Sequence, residues 1–241
     1  MELKFLGRGS AFNLREGNTA AFLKSENGAT LFLIDCGEMI FARLCEKNLL
    51  VGVKSLHIVL THLHPDHAGS LASLIFYAYF CLKIIPKVYF PDDILHTFLG
   101  LQGVVAFSSP KDGIFTSQYE LNALGVARIG ELGIHLRFIP VHHTGTLKST
   151  FALALQIGSK KVYYSGDTSN VAGVMGAQGD QYDCIYHECT VLEDSPVHTP
   201  YNMLKETFSP EKRSKVYLMH LDTNFDMTVA REDGFSVVSL I

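Results

Sequence analysis

The chain has 241 residues, a formal net charge of −4, 47% apolar residues and 18% charged residues. That is enough chain to bury a real core, and far too apolar for a disordered segment. The 20 Lys and Arg residues are scattered against 24 Asp and Glu, which gives no support for a broad nucleic-acid-binding face; the densest basic grouping, "EKRSK" around Lys212, reads as a solvated turn.

Strand-like runs open the sequence: "LKFL", "TAAFLKS" and "TLFLID", the last two separated by Asn27-Gly28, a pair that tolerates the positive φ of a hairpin turn. "EMIFARLCEKN" follows as an amphipathic helix with Met39, Ile40, Leu44 and Cys45 on one side. "SLHIVL" is an apolar strand. "PDHAGSLASLIFYAYFCL" starts a helix at Pro65 and Asp66, both favourable in a first turn. Its continuation "LASLIFYAYFCLKIIP" is the longest apolar run. It is too short to span a bilayer and is interrupted by Lys83, so it reads as a buried helix and no membrane partner is expected. "KVYF" is a strand and "PDDILHTFLGL" a helix. "IHLRFIPV", "TFALALQI", "KVYYS", "DCIYH" and "KVYLMH" are strands, with Gly158-Ser159 as a turn and "TPYNMLKETF" as a late helix. Two sheets face to face with helices outside would bury these runs, an α/β or α+β architecture. The five cysteines are odd in number and form no CxxC pair, and "MELKFLGRGS" lacks a signal-peptide core. Free thiols and a cytoplasmic location are the expectation.

The chemistry concentrates in "THLHPDH". His62 and His64 are two apart, so in an extended segment both imidazoles point the same way and meet one cation. Pro65 then redirects the chain, and Asp66 and His67 open a helix facing elsewhere. That geometry suits two neighbouring metals better than one. Further polar residues stand just past strand ends: His142-His143 after "IHLRFIPV", Asp167 after "KVYYSG" and His220 after "KVYLM". Loops at one edge of a sandwich could bring them together.

"THLHPDH", "SGDT" and "VYLMH" resemble the metallo-β-lactamase superfamily, over nearly the whole chain from "GRGSAFN" to His220. The resemblance implies one domain over residues 1–241, a four-layer αββα sandwich with a dinuclear metal site. His62, His64 and His143 would hold one metal, Asp66, His67 and His220 the other, and Asp167 would bridge them. In similar sequences the ligand histidine stands six residues before a Ser that begins the next strand; Ser149 selects His143 over His142. Imidazoles with hard carboxylates suit zinc, with Mn or Fe as alternatives.

Two such metals acidify a shared water, polarise the bond under attack and stabilise the developing charge. The expected reaction is therefore hydrolysis by a metal-bridging hydroxide, with Asp66 also a candidate acceptor for the water's proton. The segment "IYHECTVLEDSPVHTP" resembles the corresponding loop of ribonuclease Z and related phosphodiesterases. His198 matches the histidine that assists phosphoryl transfer, and Glu188 the acidic residue that orients it. Ser10 and Asn13 of "GRGSAFN" are candidates to line the cleft. Only 23 residues separate His143 from Asp167, so the long tRNA-gripping arm of ribonuclease Z is absent. The expected substrate is a small or cyclic phosphodiester such as a nucleotide. The alternatives are a lactone, thioester or other carboxylic ester, or RNA processing of the ribonuclease Z type. A homodimer is compatible with the apolar "LIFYAYF" run, whose first reading is core.

Overall fold

A computed structural model describes residues 2–105, 117–170 and 179–241. All ten strand-like runs are strands. The first sheet holds β1 (Lys4–Gly7), β2 (Ala20–Lys24), β3 (Thr30–Ile34), β4 (Ser55–Val59), β5 (Lys87–Tyr89) and β6 (Glu120–Asn122), in that spatial order. The second holds β7 (Val126–Ile129), β8 (Ile134–Pro140), β9 (Phe151–Ile157), β10 (Lys160–Tyr164), β11 (Cys184–Glu188), β12 (Val216–Met219) and β13 (Ser236–Val237), ordered from β7 to β13. Each sheet is mixed: antiparallel hairpins lie on one side and parallel strands on the other.

The alternation of side chains along the strands sorts the core into layers. In β10, Val162 and Tyr164 join the larger apolar cluster, together with β3, β4 and helices α1 (Ile40–Glu46), α3 (Leu71–Tyr77) and α4 (Ile94–Gly100). Tyr163, between them, points the other way. With Ile185 and Leu218 it meets Leu204 and Ala230 of the helices Tyr201–Thr207 and Met227–Glu232 in a second cluster. Helix, sheet, sheet, helix is the expected four-layer sandwich. Strand β3 is buried along its whole length, as a parallel strand covered on both faces must be. Truncating a residue such as Leu33 there would cost about 2–5 kcal/mol.

The topology delivers the site. β8, β10, β11 and β12 run the same way because two antiparallel steps separate β8 from β10 and the later pairings are parallel. β3 and β4 are likewise parallel. The residues that follow these strand ends therefore gather at one edge of the sandwich.

Several elements depart from the sequence reading. The long apolar run is not one buried helix. A short helix α2 (Pro65–Ala68) ends at Gly69, α3 restarts at Leu71, and residues 78–82 close in a wider π-type turn ending at Lys83, with φ +60°. Phe80 is 54% exposed, so the distal half lies at the surface. The "EKRSK" turn contains a four-residue helix, Pro210–Arg213. β6, β7, β13 and the helix Met227–Glu232 carry no strong periodicity and were not expected. Among the described residues no helix is long and apolar enough to cross a membrane, and all five cysteines are free thiols.

His57 lies inside this core, 3% exposed, with Nε2 2.9 Å from Ser55 Oγ and Nδ1 2.8 Å from Tyr89 Oη. Burial pushes its pKa down to about 4, whereas the unfolded chain binds that proton near pH 6.5. Between those values the unfolded state holds more protons, so stability is complete above about pH 6.5 and declines as pH falls toward 4, by about 3 kcal/mol from this group. Unfolding midpoints measured across that window should show this slope, and His57→Asn should flatten it. An unchanged slope in the variant would remove His57 as its source.

Candidate metal centre

His62 and His64 occupy the extended segment between β4 and α2, and His64 keeps β-type backbone as the residue preceding Pro65. Their ring nitrogens converge: His62 Nε2 and His143 Nε2 lie 3.1 and 3.2 Å from His64 Nδ1. Asp66 and His67 sit in the single turn of α2 and face a second group. Asp66 Oδ2 is 3.2 Å from both His67 Nε2 and His220 Nε2. Asp167 lies between the groups. Its Oδ1 is 3.3 Å from His67 Nε2, while Oδ2 is 3.4 Å from His220 Nε2 and 3.8 Å from both His62 Nε2 and His143 Nε2. All seven candidate ligands are thus in one cluster.

Of the two neighbouring histidines, His143 is the one inside, 3% exposed. His142 is exposed and turns its Nδ1 to Ser169 Oγ at 3.1 Å. Of the loop residues expected at the cleft, Asn13 is buried and donates its amide to the Leu221 carbonyl at 2.9 Å, and Ser10 reaches Asp222 at 3.5 Å. Both clamp the Gly-rich loop onto the segment after His220.

Close backbone approach makes the cluster possible. A Cβ on Gly37 would lie 2.0 Å from the Asp66 carbonyl, so only glycine lets the chain after β3 pass against α2. Gly166 has φ +54°, and a Cβ there would collide with the Phe151 carbonyl. Asp35 and His220 also adopt positive φ, +64° and +56°. Such backbone is costly for residues with a side chain and collects at functional sites.

Asp35 escaped the sequence reading, although it too stands just past an apolar strand. It is wholly buried and accepts from Thr61 N at 2.7 Å, Thr61 Oγ1 at 2.9 Å and His67 Nδ1 at 2.9 Å. His143 Nδ1 likewise donates to the Val197 carbonyl at 2.7 Å. With Nδ1 bonded outward in both rings, each Nε2 faces the cluster, the arrangement that orients metal-binding histidines.

Charge in this space is strongly coupled. Burial opposes ionisation of Asp167, yet the imidazoles of His220, His67 and His62 hold its carboxyl well below the usual range. Burial likewise opposes the charge on Asp66, and His67 and His220 hold that carboxyl down too. His67 is pushed well up against burial by Asp167, Asp66 and Asp35. Yet His67 Nε2 and Asp167 Oδ1 are both buried without a hydrogen-bond partner. Orphaned buried polar atoms are uncommon and costly, and a cation among these lone pairs would satisfy them. The spacing fits as well: ligands about 2.0–2.1 Å from a tetrahedral ion lie about 3.3 Å from one another. The cluster therefore fits divalent metal.

His198 stands at the rim, its side chain one-quarter exposed, with Nδ1 3.2 Å from Glu188 Oε2 and 3.9 Å from Asp167 Oδ2. Glu188 is wholly buried, and its Oε1 accepts from Thr168 N and Thr199 N at 3.2 and 2.9 Å. Burial pushes the Glu188 carboxyl up, against the pull of His198, while Glu188 and Asp167 push His198 up to about 9 against burial.

Solved structures share this architecture. The metallo-β-lactamase-fold protein YhfI from Bacillus subtilis superposes with a TM-score of 0.75 at 16% identity, covering 98% of this chain and 94% of that one. A diphosphatase of the PhnP family gives 0.73 at 15% identity, covering 99% and 94%. The chain thus has the metallo-β-lactamase fold, with a histidine–aspartate cluster suited to divalent metal at one edge of the sandwich. The chain belongs to the Anti-Pycsar protein Apyc1 family, whose sequence model matches residues 1–239. A relative of that name from Bacillus phage 010DV004 is 30% identical over 240 residues, 94% of this chain and 91% of the relative.

Because Asp35 touches no candidate metal position, it separates orientation from ligation. Asp35→Asn should keep the fold while weakening metal binding about 10–100-fold, measured by competition with a chelator. Unchanged affinity would leave Asp35 with a purely structural role.

Proposed function

We propose that the chain hydrolyses a cyclic nucleotide, opening its phosphodiester to a monoester, with residues 1–241 acting as one catalytic domain in a reducing cytoplasm. His62, His64 and His143 would hold one divalent cation, and Asp66, His67 and His220 a second, with Asp167 shared. Zinc suits this set of imidazoles and carboxylates, and Mn or Fe share the same donors. When bound, the cations would supply an acidified water and a positive field at the phosphoryl oxygens.

The observation that carries the phosphodiester reading is the His198–Glu188 pair at the rim of the cluster. Breaking a P–O bond to an alkoxide requires a proton on the leaving oxygen. Glu188 and Asp167 favour the protonated His198 ring, and its Nδ1 faces Glu188 Oε2 at 3.2 Å, so Nε2 would deliver that proton. Glu188 then keeps the ring oriented and stabilises its charge. Asp66 is assigned two roles, ligand to the second cation and acceptor of the attacking water's proton. An ester of a carboxylic acid with a good leaving group needs no such donor, and the pair favours the phosphodiester. The short β9–β10 hairpin that joins His143 to Asp167 offers no arm for tRNA, which favours a small substrate. Family membership supports the same choice, because degradation of cyclic nucleotides is the activity associated with that family.

Leaving-group dependence tests the donor. His198→Ala should lower kcat on a cyclic nucleotide by about 10²–10⁴-fold. It should cost far less on bis-p-nitrophenyl phosphate, whose phenolate leaves without a proton, and metal content should not change. Equal losses on both substrates, or loss of a cation, would contradict the role. In parallel, Asp66→Asn should lose turnover together with metal. If it retained full metal and full turnover, Asp66 would have neither role.

A further inference from the structure

Asp222 lies two residues after His220 but belongs to none of the ligand groups. It is partly buried, and its carboxylate joins three segments far apart in the chain. Oδ2 accepts from Thr190 Oγ1 at 2.7 Å and from Val191 N at 2.8 Å, and Oδ1 accepts from Ser10 Oγ of the Gly-rich loop at 3.5 Å. Hydrogen bonds to an ionised carboxylate are about twice as strong as neutral ones. One side chain thus ties the segment after β12 to the segment after β11.

The segment after β11 is the loop that carries His198. Thr190 and Thr199, both buried, close its neck. Thr190 N donates to the Thr199 carbonyl at 2.9 Å, and Tyr201 N donates to the Thr190 carbonyl at 2.9 Å. The neck has two anchors. Thr199 is held by Glu188 Oε1, which accepts from its N at 2.9 Å, and by the Thr168 carbonyl, which accepts from its Oγ1 at 2.7 Å. Thr190 is held by Asp222. Within the loop His198 N donates to Ser195 Oγ at 3.0 Å, while Leu192 is exposed. Such a loop has little core of its own, so its neck decides where His198 stands.

We propose that Asp222 is a positioning residue for the proton donor: by holding Thr190 and Val191 it fixes the neck from which His198 reaches the leaving oxygen. The inference rests on the reading of His198 as general acid toward a cyclic nucleotide. A proton crosses only a hydrogen-bond distance, and a misplacement of about 1 Å costs up to about 100-fold in rate. The ligand His220 is placed by other contacts. Its N donates to Thr19 Oγ1 at 3.0 Å, Leu221 N donates to the Arg8 carbonyl at 2.8 Å, and Ser10 N donates to the Leu221 carbonyl at 3.0 Å. Removing the Asp222 carboxylate therefore loosens the His198 loop and leaves His220 in place.

The test is made at saturating zinc, because the same loop supplies the Val197 carbonyl to His143. Asp222→Ala should lower kcat on a cyclic nucleotide by about 10–100-fold, with KM changed little and a far smaller loss on bis-p-nitrophenyl phosphate. Added to His198→Ala it should cost nothing further, because its effect passes through that ring. Asp222→Asn, whose amide oxygen can still accept both bonds, should recover most of the activity. Thr190→Val removes one donor and should show the same pattern on a smaller scale; it decides the matter if Asp222→Ala does not fold. Equal losses on both substrates, an undiminished loss in the His198→Ala background, an unchanged kcat or a missing cation would each overturn the assignment. If His198→Ala itself shows no dependence on the leaving group, the proton-donor reading fails first, and Asp222 loses its role with it.

Discussion

The carboxylate of Asp167 is the point on which this molecule turns. Wholly buried, it faces His67 and His220 on one side and His62 and His143 on the other. A buried anion is tolerated only where opposite charge or donors surround it. Parallel strands of the second sheet end beside it, and the β4–α2 connection of the first sheet closes over it. Sheet topology and site electrostatics are thus one constraint: the strands have to end together for Asp167 to be neutralised.

That arrangement is expensive to hold. Five imidazoles and two carboxylates share a small, mostly buried volume, Asp35 and His220 have backbone that residues with a Cβ avoid, and Gly37 and Gly166 are fixed by contact. The outer ring of partners offsets part of this cost. Thr61 and His67 hold Asp35, the Val197 carbonyl holds His143, and two backbone amides hold Glu188. Each fixes one tautomer or one ionisation state. The Nε2 atoms of His67 and His143 therefore already point inward, ready to offer lone pairs to a cation that displaces a proton, which is preorganisation in the physical sense.

Much of this was legible in the sequence, for a reason. Strand alternation is a period-two signal, and all ten apolar or alternating runs became strands. The H-x-H-x-D-H segment carries its geometry in its spacing, so four of the clustered side chains could be named from six residues. Asp167, His220 and the pair His142–His143 stand out because each follows an apolar strand; the choice of His143 comes from the family resemblance and its spacing to Ser149. Asp35 follows one too, but it pairs with Thr61 and His67 through contacts that no local spacing encodes. The apolar run after Pro65 misled, since hydrophobicity alone does not tell a buried turn from Phe80 at the surface. The helix Met227–Glu232 is capped by Asp226, whose Oδ1 accepts from Thr228 N and Val229 N; that cap was readable, but the helix's apolar face is too short to announce itself. The bond that buries Asn13 is equally illegible in the sequence, because its partner, the Leu221 carbonyl, is 208 residues away.

The central claim is that Asp167 stands between two cations with separate histidine sets. Anomalous diffraction from crystals of the zinc-loaded protein tests it most directly. The account predicts two peaks, one contacting His62, His64 and His143, the other Asp66, His67 and His220, with an Asp167 oxygen reaching each. A single peak, or a peak ligated by His198 and Glu188, would contradict it.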